Sequence, residues 1–386
     1  MKKMYLDYAA TTPVDPRVLK AMMPYFSDKF ANTMSLHQMG QEAEAAVENS
    51  RIIIAGFIKA NPDEIIFTSS ASESNNLALK GVAFANRERG KNHIIISPIE
   101  HDCVLESSRW LKRQGFKVDE VTVDKYGFVD INQLKKLIID STAMVSIIHG
   151  NNEIGTIQDI AAIGKICREK GIYFHTDASQ SLGKVDIDVS KMNIDLLTAS
   201  SHKIYGPKGA AILYIRKGVI IEPIIHGGGH EGGLRSSTVN VPAIVGMGKA
   251  VEVLCKEGKK ENNRLKKLRD ILIKGILENI NGTHLNGHPT KRLSNNANIS
   301  FPGIEGESLL MELDFEGIKV STGSACSSRT LMPSHVLMAC GAKPQTAHGS
   351  IRLSVGRFTT EEEVHKAVKI FIKVVNKLNK YSPFNI

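Results

Sequence analysis

From about residue 40 to residue 255 the chain alternates between two hydrophobic periods. Gln41 to Lys59 carries apolar residues at helical spacing, and Glu64 to Thr68 follows as a short apolar run of strand type. The alternation continues with helix-like stretches over Glu73–Arg87, Cys103–Gln114, Ile131–Ile139 and Ile160–Lys170. Between and after them lie strand-like runs at 92–97, 117–123, 143–148, 172–175, 196–200 and 210–215. Short, near-continuous apolar strands separated by helices predict a mainly parallel sheet covered on both faces, an α/β class. Ligands of such sheets gather beyond the carboxyl ends of the strands. Asn75, His101, Asn151, Asn152, Asp177 and Lys203 all fall there, or early in the helix that follows.

Past this region the pattern changes. Lys256 to Asn279 reads as one long charged helix, a hinge between two domains. Strand signals at 296–301, 318–321 and 350–354 and helices at 307–313 and 360–378 then predict a smaller α+β unit. The expected division is a large domain over 15–255 and a small one formed by 1–14 together with 256–386.

A chain of 386 residues with 42% hydrophobic content is long enough for two such cores. No run of about 18 apolar residues occurs, and no apolar segment follows the first lysines, so a soluble cytoplasmic protein is expected. The cysteines, Cys103, Cys167, Cys255, Cys326 and Cys340, are odd in number and show no CxxC spacing. That speaks against a disulfide framework and suits a reducing compartment. The formal charge of +9 is dispersed and interleaved with acids, so no direct nucleic-acid binding is expected.

The candidate chemistry centres on Ser200-Ser201-His202-Lys203-Ile204-Tyr205-Gly206-Pro207. A lysine at the mouth of a buried strand, preceded by hydroxyl and imidazole groups, suits a Schiff base beside a phosphate. Upstream, Asp177 ends another strand in His175-Thr-Asp-Ala-Ser-Gln180. An acid for a pyridinium nitrogen and an imine-forming amine are the two groups that pyridoxal phosphate requires. The run Thr68 to Asn76 is either an ordinary helix cap or a phosphate cradle. His101 is either a capping residue or a ring-stacking proton carrier. The glycine-rich segment His226 to Thr238 is either a flexible loop or an anion site using Arg235 and Thr238, and its two histidines have no third metal ligand nearby. Arg352, in an apolar strand, requires a carboxylate partner, internal or from a substrate. Cys326 stands in a loop of small polar residues near Arg329, which suits a mobile nucleophile.

Together, Tyr5-Leu-Asp-Tyr-Ala-Ala-Thr-Thr-Pro13, Asn151-Asn-Glu-Ile-Gly155, His175–Gln180, Ser201–Gly209 and Gly323-Ser-Ala-Cys326 resemble the NifS/IscS-type cysteine desulfurases, class-V pyridoxal-phosphate enzymes of fold type I. The resemblance spans nearly the whole chain. It implies a large domain with a mainly parallel seven-stranded sheet and a smaller α+β domain. By the same resemblance, Lys203 bonds the cofactor, Asp177 holds its ring nitrogen, Gln180 its ring hydroxyl, and His101 stacks on the ring. Asn152 also contacts it. Ala71, Ser72, Ser200 and His202 bind the phosphate, with Thr238 supplied across a homodimer interface. Arg352 and Asn32 bind the substrate, L-cysteine. Cys326 takes its sulfur as a persulfide, leaves alanine, and passes the sulfur to an iron–sulfur scaffold protein or, in some members, toward tRNA thiolation. Cys326 is also implied as a transient [2Fe-2S] ligand. The family's Gly-Asn-Pro-Ser-Ser is here Ala31-Asn-Thr-Met-Ser35, Ser72 replaces threonine, and Ser237 replaces glycine. Competing expectations are a selenocysteine lyase, another class-V aminotransferase, which would not need Cys326, and a non-enzymatic assembly subunit, against which Lys203 speaks.

Overall fold

The computed structural model describes residues 3–323 and 333–380. Its strands, in chain order, are β1 Met4–Tyr5, β2 Ile65–Thr68, β3 His93–Ile96, β4 Lys117–Glu120, β5 Thr142–Ser146, β6 Tyr173–Asp177, β7 Leu196–Ser200, β8 Ala211–Ile215, β9 His284–Asn286, β10 Asn296–Ser300, β11 Ile318–Lys319, β12 Ser321–Thr322 and β13 Ser350–Ser354. Seven of them form one sheet in the order β2-β8-β7-β6-β5-β3-β4. All run parallel except β8, which is antiparallel to both β2 and β7. The mainly parallel expectation and the strand count both hold.

Residue alternation explains why this sheet is covered twice. Ile95, Val145, Leu197 and Ile212 face one apolar cluster, while their neighbours Ile94, Ile96, Met144, Leu196 and Leu213 face another. Both faces being dry, the interior strands β3, β5, β7 and β8 are buried throughout, and β6 is buried except at Tyr173. The edge strand β4 has no buried residue: its ends Lys117 and Glu120 are exposed, which blunts the edge against pairing.

A second core lies among the antiparallel sheet β12-β13-β10-β9, the helices Gly306–Phe315 and Glu361–Asn379, and the N-terminal strand β1, which pairs with β11. The link between the cores differs from expectation. The helix predicted over 256–279 is a single helix, Val241–Leu277, of 37 residues. Its first half buries Ile244, Met247, Val251 and Leu254 in the large core, and its second half buries Leu265, Leu268, Leu272 and Ile276 in the small one. It is a strut roughly 55 Å long rather than a hinge. Pro242, Gly246 and Gly248 obscured its start. Pro242 sits in the first turn, where no N–H is needed. The two glycines permit close approach: a Cβ on Gly248 would lie 2.8 Å from Ser50, and one on Gly246 would lie 2.7 Å from the Met22 sulfur. Gly248→Val therefore overpacks the contact with helix Gln38–Ile58, and a loss of about 1–3 kcal/mol is expected, read as a lower thermal midpoint.

Candidate active site

Every cavity-forming segment of the large sheet leaves the same edge. Ser70–Ser72 follow β2, His101 follows β3, Asn152 follows β5, Asp177 ends β6, Ser200 ends β7, and Ser201–Lys203 follow it. They surround a cavity of about 300 Å³, closed on the other side by Ala9, Ala10, His335 and Arg352.

Lys203 ends a one-turn helix, Ser201–Lys203. The turn then reverses at Tyr205, which holds a left-handed φ of 66°, and at Gly206, where a Cβ would lie 2.0 Å from Ser201 Oγ. That crowding is the reason for Gly-Pro after the lysine. Lys203 Nζ donates to the carbonyl oxygens of Ala9 at 2.6 Å and Ala10 at 2.7 Å. Burial, and then the nearby cations Arg352 and Lys184, lower its pKa to about 8. At pH 7 about a tenth of such an amine is unprotonated, far more than of an ordinary lysine.

Asp177 faces the same space. Its Oδ1 accepts from Ser179 N at 2.8 Å and its Oδ2 from Asn75 Nδ2 at 2.7 Å, which fixes the carboxylate plane. Asn75 also donates to Cys103 Sγ at 3.1 Å, and that sulfur lies 3.1 Å from His101 Nδ1. Burial pushes the Cys103 thiol up to about 12, so it is a neutral bridging group. His101 Nδ1 accepts the Cys103 backbone N–H, which places the proton of the neutral ring on Nε2. Gln180 Nε2 donates to Ala9 O at 2.8 Å. The run after β2 does cap a helix: Ser70 Oγ accepts from Glu73 N. The capping helix Ala71–Asn76 continues into a π-turn, Leu77–Gly81, a feature that often accompanies functional sites. His202 is held neutral near pH 7, its pKa lowered to about 4 by burial and by Lys203 and Lys208.

The carboxylate partner required by Arg352 is Asp7, at 2.9 Å. Arg352 Nη1 also donates to Asn152 O, while Nε is buried without a hydrogen-bond partner. Asn152 Oδ1 and Ser179 Oγ are likewise buried and unpartnered. Three orphaned polar atoms in one cavity wall mark it as built for a polar ligand.

Two predicted residues are not brought to this cavity. Thr238 lines a separate depression of about 240 Å³ with Phe67, Arg235 and Asn240. Asn32 is exposed and accepts from Met34 N through its side chain. Cys326 lies outside the described residues. The glycine-rich loop is anchored rather than loose: Glu231 accepts from both Arg51 and the Phe67 amide, and Arg235 pairs with Glu73 instead of facing an anion. Among the described residues no three metal-ligating side chains converge. Sequence reasoning missed Cys103, Glu153, Ser179 and His335 as cavity residues. Glu153 and Ser179 stood inside the motifs Asn151–Gly155 and His175–Gln180, whereas His335 carries no local signal.

Residues 4–367 match the family described as Aminotransferase class-V. The chain is 52% identical over 382 residues to the cysteine desulfurase IscS of Methanosarcina thermophila, covering 99% of this chain and 94% of that one. Cysteine desulfurase IscS 1 of Archaeoglobus fulgidus is 49% identical over 98% of both. Among solved structures, a NifS-like protein superposes with a TM-score of 0.92 at 41% identity, over 97% of this chain and all of that one. SspA in complex with cysteine superposes at 0.82 and 40% identity, over 92% of this chain and 100% of that one. The chain belongs to the class-V aminotransferases and, within them, to the NifS/IscS-type cysteine desulfurases.

Enzymes of this family depend on pyridoxal phosphate, and the cavity fits it. An acid, a partly deprotonated lysine and unpartnered polar atoms converge there, with backbone N–H groups of a helix start at one end. Because the Lys203 pKa is lowered, its neutral amine dominates above pH about 8 instead of above about 10.4. Capture of pyridoxal phosphate by the apo-protein should speed up through pH 7–8 and level off by about pH 9. A rate still climbing at pH 10 in stopped-flow absorbance would place the amine in the ordinary lysine range.

Proposed function

We propose that this cysteine desulfurase takes sulfur from L-cysteine, releases L-alanine and holds the sulfur as a persulfide on Cys326. The observation that carries the reading is the meeting of Lys203 and Asp177 in one cavity with the open Nε of Arg352. When bound, pyridoxal phosphate supplies the electron sink that labilises bonds at the substrate's α-carbon. Lys203 would hold the cofactor and would move a proton at the substrate carbon, a task its lowered pKa permits. Asp177, braced by Asn75 and Ser179, keeps the ring nitrogen charged. His101, with Nε2–H as its proton-bearing atom, would stack on the ring, Gln180 would hold the ring hydroxyl, and Asn152 would also hold the cofactor. Ala71, Ser72, Ser200 and His202 receive the phosphate. Arg352 holds the substrate carboxylate, with Asn32 beside the substrate.

In the sulfur step the Cys326 thiolate attacks the substrate sulfur. The S–S bond forms as the C–S bond breaks, the bonding pair stays on the substrate carbon, and that carbon takes a proton to become the methyl of alanine. The sum is one thiol and one cysteine giving one persulfide and one alanine, with no outside oxidant.

The reading includes a homodimer. Leu19, Met23, Phe26, Phe30, Met34 and Leu36 leave an exposed apolar surface on residues 19–36, from 49% to 91% accessible, which suits a second copy. Thr238, which lines a separate depression on its own chain, then serves the partner's phosphate. It also includes the division into 15–255 and 1–14 with 256–386, transfer of sulfur to an iron–sulfur scaffold protein, and a transient [2Fe-2S] ligand role for Cys326. Cytoplasmic residence suits Cys103, Cys167, Cys255 and Cys340, which are free thiols, and no helix among the described residues is long and apolar enough to cross a membrane.

The deciding experiment incubates holoenzyme with L-cysteine and a thiol reductant and measures alanine and sulfide. Cys326→Ala should reduce both at least roughly a hundred-fold while retaining the cofactor's visible absorption. Undiminished alanine release from that variant would remove Cys326 from the reaction. Absence of both products from wild-type holoenzyme would refute the desulfurase reading.

A further inference from the structure

One acid in the quoted Asn151–Gly155 motif has no part in the reactions above. Glu153 is 1% exposed and lies one residue beyond Asn152, in the cavity wall. Its turn is rigid. Asn151 Oδ1 accepts from Glu153 N and Ile154 N, Asn151 Nδ2 donates to Ile99 O, and Asn296 Nδ2 donates to Glu153 O.

The side chain of Glu153 points at two places far away in sequence. Ser334 Oγ donates to Glu153 Oε2 at 2.5 Å and accepts in turn from Leu337 N, so this hydroxyl is fully used and 6% exposed. Gly323 presses against the same oxygen: a Cβ there would lie 2.7 Å from Glu153 Oε2 and 3.5 Å from Ser334 Cβ. Gly323 and Ser334 are the residues between which the sequence carries Cys326. Each is held independently as well. Thr322, just before Gly323, pairs with Ile351 at the end of the small sheet. After Ser334, His335 Nε2 bonds Glu100 O at 3.0 Å, and Val336 and Leu337 pack on Ile99, Ile148 and Ile154.

We infer that Glu153 is a positioning residue for sulfur transfer, its carboxyl oxygen joining Gly323 and Ser334 beside the cofactor-binding turn so that the segment bearing Cys326 starts and finishes at the cavity wall. The inference rests on the reading of Cys326 as the sulfur acceptor. It explains a small residue at 323 and a hydroxyl at 334, neither of which the chemistry itself requires. Burial raises the Glu153 pKa, and Ser334, His335 and Arg352 pull the other way, so a neutral amide of the same shape is a fair replacement for the acceptor oxygen.

The test uses holoenzyme and separates substrate capture from sulfur transfer. Ser334→Ala and Gly323→Val should leave the absorption change on adding L-cysteine at wild-type concentration dependence. In single turnover they should slow Cys326 persulfide formation, read by alkylation and mass, roughly ten- to hundred-fold. Glu153→Gln should stay within about three-fold of wild type, and Glu153→Ala should match Ser334→Ala, a split that general loosening of the fold would not produce. Persulfide formation at the wild-type rate in both Ser334→Ala and Gly323→Val overturns the inference. If Gly323→Val or Glu153→Ala fails to hold cofactor, Ser334→Ala, which deletes one hydroxyl, decides. Cys326→Ala run in parallel identifies which layer fails. If it releases alanine at the wild-type rate, the reading of Cys326 falls and the positioning role with it. If it is inactive while the anchor variants are normal, only the role of Glu153 falls.

Discussion

The segment from Met4 to Asp15 is the seam on which the site depends. On one side it belongs to the small core: Leu6 N bonds Lys319 O, Ala9 N bonds Ser354 Oγ, and Asp7 pairs with Arg352. On the other it takes the turn around Lys203: Ala9 and Ala10 accept from Lys203 Nζ, Thr12 N bonds His202 O, and Asp15 N bonds Tyr205 O. One N-terminal segment therefore holds Lys203 and the buried arginine in a common frame. Further along the seam, Arg357 pairs with both Asp15 and Glu261 and lies 4.2 Å over the Tyr205 ring. Buried pairs of this kind contribute little net stability by themselves, but breaking one strands a charge, so they hold relative position.

That frame also sets the electrostatics. Lys203, Arg352 and Lys184 share a largely buried region with Asp7 and Asp177. Burial disfavours every charge there, and the cations disfavour one another. The amine answers by losing affinity for its proton, with the pKa falling to about 8. A site so arranged gains from anionic ligands, and the family's phosphate and the carboxylate of an amino acid meet that need.

Much of this was legible before folding. The apolar runs, short and bounded by polar turns, indicated the large sheet and the edge at which Lys203, Asp177, His101 and Asn152 collect. Other elements were not legible. The true start of helix Val241–Leu277 was hidden because Pro242, Gly246 and Gly248 lower helix propensity. Those residues are there for a first-turn position and for close contacts with Met22, Pro207 and Ser50 that no local pattern encodes. Cys103 entered the sequence reading only in the cysteine count and at a helix start, and only the fold shows it bridging Asn75 and His101. Asn32 and Thr238 were placed by resemblance, and within a single chain neither reaches the cavity.

The sequence alone determined the period of each element, the order of the motifs and the presence of a lysine, an acid and a cysteine suited to one chemistry. These are local properties, because propensity, turn residues and side-chain type are carried by neighbours in the chain. Only the tertiary structure decided the partners. Whether Arg352 faced a substrate or Asp7, whether Lys203 kept an ordinary pKa, and what Glu153 touched all depend on groups between about 150 and 350 residues away. Burial and proximity set those interactions, and both arise only when the two cores close on the N-terminal strand.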